Sequence, residues 1–139
     1  MQTKNKKFMK ATSQNFITSA KTRVIAYWVT TGIIALETAV GAVWDIMQIP
    51  YVTAMMTQLG YPAYFLTILG VWKVFAVVAL LAPGFPRIKE WTYAGLFFVY
   101  TGAAASSLAM GYNEHAIGPL VFAVITIASW ALRPESRRI

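Results

Sequence analysis

Residues 64–82 read YFLTILGVWKVFAVVALLA, an apolar run interrupted by a single charge, Lys73. At about 1.5 Å per helical residue such a run matches a hydrocarbon core of about 30 Å, so it is expected to cross a bilayer as a helix. Three more stretches of the same kind flank it: Val24–Trp44 before it, then Thr92–Met110 and Ala116–Leu132 after it. Four such runs predict an all-α integral membrane protein, an antiparallel four-helix bundle spanning at 24–44, 64–82, 92–110 and 116–132.

The composition agrees. The chain of 139 residues is 58% hydrophobic and only 12% charged, and its mean hydropathy is +0.55. A soluble domain carries about twice that share of charge. No cysteine is present, which excludes disulfides, thiolate-held iron–sulfur clusters and dithiol chemistry. With His115 the single histidine, the composition argues against a zinc site or bis-histidine haem within one subunit, and no metal site is expected. No nucleophile–base spacing or phosphate loop is present, and whether the chain is an enzyme stays open.

The net charge of +7 is distributed as a membrane would sort it and gives no reason to expect a nucleic-acid partner. Eleven of the twelve Lys and Arg residues lie before span one, between spans two and three, or after span four. The two opposite loops hold Asp45, Glu114 and His115 and no Lys or Arg. The positive-inside rule therefore places both termini in the cytoplasm of a bacterial inner membrane, with the lipid bilayer as the obligatory partner. Residues 1–23 form a basic tail; Phe8, Met9, Phe16, Ile17 and Ala20 share one face if it is helical. The run after it is too long for a cleaved signal segment. Residues 133–139 form a second basic tail around a membrane domain of 24–132.

Punctuation marks the connections. Pro50 suits the first turn of a short interfacial helix between spans one and two, Gly60 suits its C-terminal end, and Pro62 precedes span two. Pro83 and Pro86 end span two sharply.

Two ionisable residues sit deep in apolar runs, Glu37 in span one and Lys73 in span two. Each costs a few kcal/mol at the centre of a spanning helix, so both should face the bundle interior. Glu37 lies eight residues before the outer end at Asp45 and Lys73 nine after Tyr64, about 12 and 13 Å, which brings them level if the helices are antiparallel. Two readings follow. The pair is either an internal lock between helices or one wall of a small polar cavity, with Tyr100, Thr101 and Thr126 at similar depth and Trp72 beside it.

Four motifs occur in order: Leu59-Gly60-Tyr61-Pro62, Gly70-Val71-Trp72-Lys73-Val74, Phe85-Pro86-Arg87-Ile88-Lys89-Glu90-Trp91-Thr92-Tyr93-Ala94-Gly95, and Gly102-Ala103-Ala104-Ala105-Ser106-Ser107-Leu108-Ala109. In these, from Tyr27 to Pro134, the chain resembles the DoxX-like family of small four-helix membrane proteins. Lys73 matches the lysine of that family's second-helix pattern and Glu90 the acid of its loop pattern. Many relatives carry a histidine where Ser107 stands and an acid where Tyr112 stands, so a role resting on that histidine does not carry over. The resemblance implies a link to a thiosulfate:quinone oxidoreductase, hence a quinone as cofactor and a membrane redox partner.

Three functions are weighed. The first is an auxiliary or binding component holding a hydrophobic small molecule or partner near Glu37 and Lys73; the second is a quinone-linked oxidoreductase subunit. The third is a small proton-coupled multidrug exporter, a homodimer relying on one glutamate in the first span. Against that, a lysine level with Glu37 would hold it ionised.

Overall fold

A computed structural model describes the whole chain, Met1–Ile139, as five α-helices with no strand. They are α1 (Gln2–Ile46), α2 (Pro50–Gln58), α3 (Ala63–Leu81), α4 (Pro86–Ala109) and α5 (Asn113–Leu132), followed by one 3₁₀ turn at Glu135–Arg137. Helices α1, α3 and α5 are each long and apolar enough to cross a membrane. Helix α4 has the length, at 24 residues, but is less apolar.

The boundaries have local causes. No proline interrupts the chain between Gln2 and Ile46, so the basic tail and the first apolar run form one continuous helix of 45 residues. The tail expected ahead of a helix starting at residue 24 is thus its N-terminal half, and it is exposed throughout. Pro50 begins α2, and Gly60, at φ 80°, turns the chain after it. Pro62 caps α3 in an extended conformation. Gly84 and Phe85 both have positive φ, and Pro86 is the first residue of α4, which therefore starts six residues before the expected span.

The molecule is apolar outside. Only 22 of 139 residues are buried, while Leu36, Phe75, Val78, Phe98 and Val124 stand exposed. In water that surface would drive association; against acyl chains it is the proper exterior. Inside lies a cluster of Ile34, Leu80, Tyr93, Leu96, Tyr100 and Ala123. Buried hydroxyls cross it in pairs: Thr31 with Ser129 at 2.7 Å, Tyr93 with Ser129 at 2.9 Å, and Thr38 with Tyr100 at 3.1 Å. Each would be costly left unpaired in hydrocarbon.

Close packing sets the α1–α3 register. A Cβ added at Gly70 would lie 2.7 Å from Ile46 Cγ1, 3.0 Å from the Ala42 carbonyl oxygen and 3.1 Å from Asp45 Cβ. One turn further along α3, Lys73 lies over Gly41, whose missing Cβ makes room for the ammonium at 2.9 Å. Helix α1 also packs on α5, and α5 on α4, whereas α3 and α4 touch sparsely despite being consecutive. That sparse seam leaves a cleft.

Candidate functional site

Glu37, Gly41 and Asp45 follow one another at intervals of four along α1, so they share a face. Lys73 of α3 meets that face at its middle, over Gly41. Its ammonium reaches toward the C-terminal end of α1: Lys73 Nζ lies 2.8 Å from Asp45 Oδ2, with the two side chains 14% and 5% exposed. The contact is close but poorly aligned, and Asp45 Oδ2 accepts no hydrogen bond. It is an ion pair held by charge.

Lys73 therefore pairs with Asp45 and not with Glu37, the partner that the depth count predicts. That count levelled the helices by the ends of their apolar runs. The close contact at Gly70 instead seats α3 so that Lys73 stands about one turn beyond Glu37. Asp45, buried and without another donor, takes the ammonium. Glu37 is satisfied elsewhere, because the Tyr100 hydroxyl donates to Glu37 Oε2 while Thr38 Oγ1 lies 3.1 Å from the same hydroxyl.

The other expected site residues separate. Tyr100 joins Glu37, as described. Thr101 donates to the Phe97 carbonyl and Thr126 to the Phe122 carbonyl, each at 2.7 Å and each within its own helix. Trp72 is largely exposed and lines the α3–α4 cleft. This cleft, of about 420 Å³, has mostly apolar walls, including Phe65, Phe75, Trp91 and Gly95, and Lys73 is its one charged residue. A second groove of about 310 Å³ lies between α4 and α5, with Thr126 in its wall and Glu90 and Trp130 at its polar end.

Another cluster escaped the sequence reading. At the end of the bundle formed by the start of α4 and the end of α5, Glu90 accepts from Arg133 Nη2 and, at 2.7 Å, from Trp130 Nε1. Burial raises the Glu90 carboxyl, but these two hydrogen bonds and the Arg133 charge outweigh it and hold it below the usual carboxylate range. Lys89 is fully buried, and its ammonium donates to the Ala79 and Ala82 carbonyls at the end of α3. Burial first, then Arg137 and Arg133, lower it from the ordinary lysine value. Both residues precede the span expected at 92–110. Counting Lys89 as one more loop cation concealed its role as a cap on the last carbonyls of α3.

Asp45 was missed for a related reason: it closes the apolar run and reads as the first residue of an exterior loop. The signal that could have found it is the four-residue spacing Glu37, Gly41, Asp45.

Residues 29–129 match the model of a family described as the DoxX-like family. No curated protein and no solved structure matches the chain.

Proposed function

The chain belongs to the DoxX-like family, and from that premise we propose that it is an auxiliary membrane component which holds an elongated hydrophobic small molecule in the α3–α4 cleft, with Lys73 as the polar handle. The observation that carries this reading is the cleft: apolar walls, a single charged residue, and a mouth rimmed by the exposed Trp72 and Trp91. Apolar sites of this size with one polar group are the usual form of a small-molecule pocket. A quinone is one occupant of suitable shape, with a membrane redox partner then implied.

Gly95 supplies the test. A Cβ added there meets nothing within 4 Å, and the residue lines the cleft. Gly95→Leu should therefore fill the cleft without disturbing the helix and abolish retention of any co-purifying apolar molecule, read by solvent extraction and mass spectrometry. Retention equal to that of the wild type would remove the cleft from consideration. Quinone in the wild-type extract would favour the oxidoreductase-subunit reading.

The topology belongs to the same proposal. Four antiparallel spans, with α4 as the third and both termini cytoplasmic, are supported by the one-sided Lys and Arg distribution and by the order of α1–α3 contacts, in which Lys73 meets Gly41 beyond the Gly70–Ala42 approach. Because the chain has no cysteine, Lys6→Cys and Asn113→Cys each create a single reporter. An impermeant maleimide should label the second, and not the first, in intact spheroplasts. The reverse pattern, or labelling of both, refutes the orientation.

One observation favours the exporter reading as a second possibility. Glu37 accepts from the Tyr100 hydroxyl while the Lys73 ammonium is engaged by Asp45, so the lysine that counted against this reading is not the glutamate's partner. Under that reading Glu37→Gln expresses normally and loses drug resistance; under the binding reading no resistance exists to lose.

A further inference from the structure

The carbonyls of a helix's last turn have no partner within the helix and attract cations. At the end of α3 the Lys89 ammonium serves two carbonyls, those of Ala79 and Ala82, and Arg137 a third, that of Leu80, an arrangement in which no oxygen has more than one cation. At the end of α5 it is inverted. The Ala131 carbonyl oxygen accepts from Arg23 Nη2 at 3.0 Å and from Arg138 Nη2 at 2.8 Å. Two guanidiniums, brought from opposite ends of the chain, thus converge on one oxygen.

A third cation stands in the same corner. Arg137 donates to the Leu80 carbonyl at 3.1 Å, and its guanidinium lies 4.7 Å from the centre of the Trp28 ring. None of these three arginines pairs with a carboxylate, because the two salt bridges of the structure are Lys73–Asp45 and Arg133–Glu90. Behind them Arg133 is buried, with Nη1 lacking any hydrogen-bond partner. Arg138 Nε also donates to the Arg133 carbonyl at 2.8 Å, but no carboxylate balances these charges, and the guanidiniums of Arg23 and Arg138, sharing one carbonyl oxygen, repel each other. An anion between them would turn that repulsion into attraction. The planar guanidinium fork matches phosphate oxygens two at a time.

We propose that Arg23, Arg137 and Arg138 form a binding site for a phosphate-bearing anion at the end of the α1–α5 seam, beside Trp28. Its place at the edge of the apolar exterior is where lipid headgroups lie, so an anionic phospholipid is the source the location offers; free phosphate is the other. The site is separate from the α3–α4 cleft and stands whether or not the cleft binds anything.

The test uses the full chain in dodecyl maltoside, delipidated and titrated with phosphatidylglycerol or phosphatidylcholine, with bound lipid counted by native mass spectrometry. The wild type should retain phosphatidylglycerol in preference. Arg23→Gln with Arg138→Gln should reduce that preference about tenfold, as expected for loss of a charge-assisted bidentate contact. Should that double variant fail to fold, Arg23→Lys with Arg138→Lys keeps the charge at the helix end and loses the fork, and should also weaken the preference. The tail variant Lys4→Gln, Lys6→Gln, Lys7→Gln, Lys10→Gln should keep it. No preference in the wild type, an unchanged preference in both arginine variants, or its loss on neutralising the tail alone would each overturn the proposal. Displacement of the lipid by inorganic phosphate assigns the site to the free anion; retention assigns it to the headgroup.

Discussion

Replacing Lys73 by Met should destabilise the folded protein by about 3 to 5 kcal/mol, the cost of leaving one member of a buried pair without its partner. The group stranded is Asp45, 3% exposed and with an oxygen that accepts no hydrogen bond. Asp45→Asn alone should be destabilising too, since it strands the ammonium over Gly41. The double variant Lys73→Met, Asp45→Asn should recover most of the loss, because replacing both members of an ion pair is far cheaper than removing one. Unfolding in mixed micelles, followed by circular dichroism, reads all four species. The cycle also distinguishes the two acids: coupling of Lys73 with Asp45 should be large, and with Glu37 close to zero, since Glu37 is held by Tyr100. Strong coupling to Glu37 would mean that the ammonium faces inward.

The second large effect is expected at Gly70. Alanine there would press against Ile46, Asp45 and the Ala42 backbone, and the backbone cannot yield as a flexible side chain can. Gly70→Ala should cost about 1 to 3 kcal/mol and Gly70→Leu more, as overpacking does at tight contacts. Since the same contact sets where Lys73 falls, Gly70→Leu should also weaken the Lys73–Asp45 pair, and its effect should not add to that of Lys73→Met. Gly102→Ala is the control. Nothing lies within 4 Å of its added Cβ, so the gain in helix propensity should leave it neutral or slightly stabilising. A Gly70→Ala protein as stable as the Gly102→Ala protein would show that α1 and α3 do not meet closely.

Much of the fold was legible because it rests on local rules. Pro50 and Gly60 marked α2, and the apolar runs located α3 and α5 to within a few residues. The family was legible in four ordered motifs, and the family match over residues 29–129 agrees. The site was less so. The four-residue offset that separates Glu37 from Lys73 depends on how deeply one helix seats against another, and that is decided at Gly70 by contacts between residues far apart in sequence. A count of apolar residues cannot register it. Thr101 and Thr126 sit at a suitable depth, but a threonine hydroxyl in a helix finds its own backbone before it finds a neighbour. The cluster of Lys89, Glu90 and Arg133 was hidden because the orientation rule counts charges and ignores what they touch.

The unbroken course of α1 has a mechanical consequence. One continuous helix carries both the exposed basic residues and the face bearing Glu37, Gly41 and Asp45. A partner that grips Lys4 to Lys10 therefore holds a segment joined, without a break in the helix, to the residues that meet Lys73.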